Sequence, residues 1–204
     1  MTDHTVSLST AWIHQPAIAA RPARTLLVGA ATLTCSFRFG SLAFDLAAHS
    51  TTVTDDPAET MAWLAERLHV PPARLLLWRA ADIVVPSLIA AAETARDTVT
   101  AARLLRELDL TFGGEVVDVA DFYGRAHATS FDAVSHAAGL PFVPMAPIVL
   151  SESHRCGCHG AIRRHLASRA IATWRLWLKA RPDAGSLIAA TDAWVSTPEA
   201  EVRL

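Results

Sequence analysis

Residues 74–88 read RLLLWRAADIVVPSL, and the order of residue types in this stretch decides the fold class. Leu75, Leu76 and Leu77 form an unbroken apolar run, the pattern of a central strand covered on both faces, so a strand is expected over Arg74–Arg79. Asp82 stands where that strand gives out. It fits the cap of a helix over Ile83–Arg96, with Pro86 in the first turn, where a missing N–H costs little. A strand passing directly into a helix is the building unit of α/β proteins. It also sets Asp82 at the carboxyl end of a strand, the edge where such sheets collect their chemistry. An ordinary capping aspartate would account for the same residue without any function.

Upstream, TLLVGAATLT (25–34) reads as a central strand of small residues, and CSFRF and LAFDLAA flank Gly40-Ser41, a pair suited to a hairpin turn. Three strands in a meander are therefore expected within residues 25–48. Residues 1–23 are polar and then rich in Pro and Ala, with breakers at Pro16 and Pro22, and read as an irregular N-terminal arm before a domain over 24–204. TDDPAETMAWLAERLH starts a helix firmly, with an aspartate cap, Pro57 at the first helical position and Glu59 in the first turn. Downstream, a helix is expected over Asp97–Leu108, and EVVDVADFYG (115–124) changes from strand to helical spacing. A short helix capped by Ser130 closes at Gly139 and Pro141, and a Pro/Ser-rich loop runs to about Cys158. Helices over Gly160–Lys179 and Ala184–Val195 complete the chain. The expected architecture is α/β, a mixed sheet with an antiparallel three-strand meander and flanking helices.

A chain of 204 residues is one ordinary domain with a large core. Its 51% hydrophobic content argues for a well-covered globule or a homo-oligomer and against a disordered adaptor. A formal charge of −2 gives no global case for nucleic-acid binding. Three cysteines provide no disulfide framework and suit a reducing cytoplasm. The segment MTDHTVSLSTAWIHQP lacks the basic and apolar regions of a secretion signal, and apolar runs are broken by charge before membrane-spanning length; a soluble, cytoplasmic protein without a membrane partner is expected. HRCGCHG (154–160) offers four N/S donors, but they are too crowded for an ordinary structural zinc. No P-loop, GxGxxG or GxSxG motif supports an NTPase, dinucleotide or serine-hydrolase reading.

Several phrases carry a family resemblance. WRAADIVVPSL is similar to the second motif of ribonuclease-H-like 3′–5′ exonucleases of the DEDD class, close to predicted exonucleases related to the proofreading domain of family-B DNA polymerases. EVVDVADFYG followed by SFDAVSHAAGLP resembles the segment between that family's second and third motifs, and HLASRAIATWRLWL resembles the helix of the third, usually Tyr-Cys-Glu-x-Asp. The resemblance spans roughly residues 24–180. It implies a ribonuclease-H-like exonuclease fold in which the first strand supplies Asp-x-Glu, the helix after the fourth strand an Asp, and the late helix another Asp. Four such carboxylates hold two divalent ions that clamp the scissile phosphate. Hard ions of this kind need oxygen ligands.

Here the chain departs from the pattern. Asp82 matches the second-motif acid, but Gly29 and Ala31 stand where Asp and Glu belong, and a rival alignment places Asp45 first with Ala47 in the place of Glu. In the third motif, Ala167 and Arg169 occupy the positions of Glu and Asp. The resemblance thus implies the fold and argues against the activity: no cofactor is expected, and Asp82 and Asp45 are remnants. The alternative is an active Mg²⁺- or Mn²⁺-dependent 3′–5′ exonuclease on DNA or RNA, with Asp82, Asp45, Asp118 or Asp121 rebuilding a site. Arg169 is expected to lie in the vacated site, paired with Asp82, or to hold a phosphate as a bidentate donor. Arg155, Arg163, Arg164, Arg175 and Lys179 follow one another with no intervening acid, and Trp174 and Trp177 lie close by in sequence; together they suggest a nucleic-acid face. A protein partner is the other expected ligand.

Overall fold

In the computed structural model, which describes residues 4–18, 22–38, 41–124 and 130–197, the central stretch does pass from strand into helix. Strand β4 is Arg74–Leu77, and Leu75, Leu76 and Leu77 have no solvent exposure at all. It belongs to a five-strand mixed sheet with β1 (His4–Gln15), β2 (Arg24–Arg38), β3 (Ser41–Ser50) and β5 (Glu115–Asp118), in the order β3-β2-β1-β4-β5. The first three strands are antiparallel neighbours, while β4 runs parallel to both β1 and β5.

The meander expected within residues 25–48 exists, but its members differ. Residues 24–38 form one long strand, not two, and the third strand is the segment expected to be an arm. β1 lies at the centre of the sheet. Val6 and Leu8 face one layer of the core and Ser7, Ser9 and Ala11 the other, so the apolar signal of the second face is hidden by serines. Ser7 is tolerated there because its Oγ donates to the Ala170 carbonyl at 2.8 Å. The Gly40 side of the expected hairpin turn lies outside the described residues.

Seven α-helices among the described residues cover both faces. On one side lie α1 (Ala58–Leu68), α2 (Val85–Glu93) and α3 (Thr98–Phe112), packed on Val6, Leu8, Leu27, Leu75 and Leu77. On the other lies α6 (His159–Lys179), with α4 (Phe131–Ala137), α5 (Pro147–Arg155) and α7 (Gly185–Val195) around it. The cap expected at Ser130 is present, accepting from Ala133 at α4, and Asp97 caps α3 by accepting from Val99 and Thr100, whereas at α1 the cap position falls on Pro57 and not on the expected aspartate. α5 occupies part of the expected loop, with Pro147 at its first position, where proline favours a helix start. No described helix is long and apolar enough to cross a membrane.

α6 is the pillar of its layer. Ile162, Leu166, Ala167, Ala170, Ala172, Leu176 and Leu178 are fully enclosed, and the helix touches β1, β2, β3 and β4. It comes closest at Gly29 of β2, where a Cβ would stand 2.6 Å from Leu166 Cδ1 and 3.1 Å from Ile162 Cγ2.

Candidate functional site

Beyond the carboxyl ends of β1 and β4 the two helical layers part around a cleft of about 580 Å³. Local backbone features shape its floor. β1 and β2 lose register between Ala11 and Trp12, where Val28 is the extra residue of a bulge, and Ala11 and Trp12 both reach the cleft. At the end of β4 the chain turns through Arg79 in the left-handed region, φ 57°, the only positive φ outside glycine among the described residues. Asp118, at the end of β5, accepts from the backbone N–H of Arg79 at 2.8 Å and of Ala80 at 2.7 Å, which fastens that turn. A π-helical turn, Ala80–Val84, then leads into α2.

The cleft's charged groups are few. Arg79 and Arg169 supply cations, and Asp132 is the one carboxylate among the described residues that line it. Arg169 rises from α6 with its guanidinium 4.1 Å over the face of the Phe131 ring. Burial lowers its pKa from 12.5 to about 10, partly offset by Asp132, so it is a cation at neutral pH. His165, one turn earlier, has Nδ1 at 2.7 Å from the Val143 carbonyl. A proton on Nδ1 satisfies that contact, and burial, the leading cause, lowers the pKa of the ring. The neutral ring then presents Nε2 as an acceptor. Ser9 and Thr10 of β1 also line the cleft, and the Oγ of each is buried without a hydrogen-bond partner. Trp12 and Trp78 supply aromatic surface to the wall.

Arg169 therefore lies in the cleft, but it is not paired with Asp82. Asp82 sits within the π-helical turn instead of capping a helix, its side chain is 44% exposed, and Arg79 Nη2 lies 3.6 Å from its carboxylate. The neighbours Ile83 and Val84, not Asp82, line the cleft. Gly29 and Ala31 are not first-strand positions. They belong to β2 beneath α6, where Leu166 and Ile162 fill the space that Arg169 was expected to take. Ala167 is likewise core. Asp45 is on the edge strand β3, ion-paired with Arg67. Asp118 carries a turn, as described, and Asp121 is exposed in the short 3₁₀ turn that follows.

The members of the basic run have different surroundings. Arg163 donates to Ser50 Oγ at 3.3 Å, Arg175 pairs with Asp192, and Arg175 and Lys179 border a separate cavity beside Leu140 and Ile188. Arg155 ends α5, and Arg164 is exposed on α6. Trp174 and Trp177 are buried in the core, so neither presents a free ring to a base. Sequence reasoning missed Ser9, Thr10, Trp12 and Asp132. The signal available for β1 was its strict alternation, Val6 and Leu8 against Ser7 and Ser9.

Among the described residues no three His, Cys, Asp or Glu side chains come together in a metal-holding group. The cleft's own donors, two cations, hydroxyls and a single carboxylate, are the wrong chemistry for Mg²⁺ or Mn²⁺. No protein-family model, curated protein or solved structure matches the chain.

Proposed function

We propose that the chain is a catalytically degenerate 3′–5′ exonuclease-like module of ribonuclease-H-like fold, which binds nucleic acid in the cleft without cleaving it. One observation carries this reading: the strand at the centre of the five-strand sheet, HTVSLSTAWIHQ, contains no carboxylate, although it is the first strand and borders the cleft. The resemblance calls for Asp-x-Glu on that strand. Ser9 and Ala11, two residues apart and lining the cleft, supply a hydroxyl and a methyl instead. Arg169 then puts a guanidinium where a third acid is called for. Two-metal cleavage requires a symmetric clamp on the attacking and leaving oxygens, and this donor set supplies none. Strand order supports the fold assignment, since the antiparallel meander is followed by a parallel fourth strand and a helix that starts close to Asp82.

The test is incubation of purified protein with 5′-labelled single-stranded DNA and RNA in Mg²⁺ or Mn²⁺, alongside fluorescence anisotropy on the same strands. Intact strands with measurable binding are expected. Metal-dependent laddering from the 3′ end, abolished by Asp82→Ala or Asp132→Ala, would falsify the inactive reading.

A further inference from the structure

We propose that the cleft seats the phosphomonoester of a nucleotide without any metal, with Arg169 as the principal donor and Ser9 Oγ as the second. The proposal rests on the reading of this cleft as a nucleic-acid site and names the group that the site holds. Three independent features lead to it.

The first is the state of the guanidinium. Phe131 covers one face of Arg169, and Asp132 acts on it only as a nearby charge. Among the described residues no hydrogen bond or ion pair holds its N–H groups. A guanidinium held over a ring without hydrogen-bond partners still has its N–H donors to give, and phosphate accepts them as a bidentate partner. The second feature is an orphaned hydroxyl on the face of β1 that meets α6. Ser9 is 4% exposed, and its Oγ is buried without a partner while the residue lines the cleft. A buried donor left unmade is costly, so a ligand rich in acceptor oxygens stabilises it. The third is the wall. Trp12 gives aromatic surface, and about 580 Å³ suits a mononucleotide.

Asp132 opposes this seat. It is exposed at the start of α4, and its charge both attracts Arg169 and repels a phosphate dianion. That opposition provides a variant with a sign no loss of folding can imitate: Asp132→Asn should bind phosphate more tightly.

The experiment is calorimetric titration in excess EDTA with adenosine 5′-monophosphate, adenosine and inorganic phosphate. Adenosine 5′-monophosphate is expected to bind at least about tenfold more tightly than adenosine, with no gain from Mg²⁺. Arg169→Lys and Ser9→Ala should each weaken it severalfold, and Asp132→Asn should strengthen it severalfold. Equal affinity for nucleotide and nucleoside, a requirement for Mg²⁺, or indifference to all three variants would overturn the proposal, as would the absence of binding. Oligonucleotides ending in 3′-phosphate or 3′-hydroxyl then separate a strand terminus from a free nucleotide as the source of the phosphate. Strands that bind equally with either end, with no binding of the mononucleotide, sink the phosphate seat and leave the nucleic-acid reading standing. Metal-dependent cleavage sinks that reading, whatever the mononucleotide does.

Discussion

At the scale of single residues, the most demanding position is Arg79. A side chain in the left-handed region costs about 1–2 kcal/mol, and here it is held by a carboxylate of the adjacent strand β5. Asp118→Ala removes the acceptor of the Arg79, Ala80 and Ala120 N–H groups together, and a loss of about 2–4 kcal/mol in urea unfolding is expected. Arg79→Gly relieves the strain but frees the unfolded chain, so it should fall within about 1 kcal/mol of the parent, an unusual outcome for glycine before a helix. A large loss at Arg79→Gly would show that its side chain, through the contact with Asp82, matters more than its backbone. Arg169 was placed on the late helix because its neighbours Ala172, Thr173 and Trp174 lie on a regular helix, but its expected pairing with Asp82 is absent. Asp82 was misjudged because a π-helical turn inserts an extra residue per turn, and no residue pattern in AADIV announces it.

Elements were legible where one face is continuously apolar. β4, α1, α3 and α6 are of this kind, and their observed limits lie within a few residues of those expected. β1 was not legible because the face toward α6 carries serines, and Ser7 is satisfied only in the folded state, by a carbonyl 163 residues away. β2 was split in two because Cys35-Ser36 and its glycine weaken strand propensity locally, while its pairing with strands on both sides holds it as one. The contact between β2 and α6 gives a prediction at this scale. Gly29→Ala would set a Cβ 2.6 Å from Leu166 Cδ1 and 3.2 Å from the His49 carbonyl. Leu166 is fully buried and the carbonyl cannot yield, so a loss of about 1–3 kcal/mol is expected, read as a lower urea midpoint with an unchanged slope. The pair Gly29→Ala with Leu166→Ala should lose less than the sum of the single changes if the clash is the cause.

For the whole molecule, acid sensitivity follows from three rings. His49, His154 and His165 are each held below the ordinary value of 6.5, with burial the leading cause in every case. The folded protein therefore takes up these protons at lower pH than the unfolded chain does. Their contribution is fully present above about pH 6.5 and is lost as pH falls through the folded values. Asp55, Asp97, Asp183 and Glu115 are also lowered, from 3.8 or 4.5, so their window opens only at more acid pH. Melting temperature is expected to fall in two stages, the first beginning as pH drops below about 6.5. His165→Gln should flatten that first stage; an unchanged slope would place its origin elsewhere. At this scale the α/β class and the mixed sheet were open to reading from strand-to-helix order, whereas strand neighbours were not. Pairing is decided by which faces meet, and the central strand gave no apolar sign of its place.

The dependence of β1 on α6 also sets an order of assembly. The strand at the middle of the sheet is made before the other described elements, yet the helix covering its serine face spans His159–Lys179. While the chain is being synthesised, all the other strands must leave the ribosome before that face has any cover. Until then the growing sheet exposes Val28, Ala31, Leu33 and Leu46, the residues that later meet α6. A nascent chain in this state invites chaperone binding, and a stop codon placed before residue 159 should yield an aggregating fragment, whereas one placed just after Lys179 should leave the sheet and its pillar together.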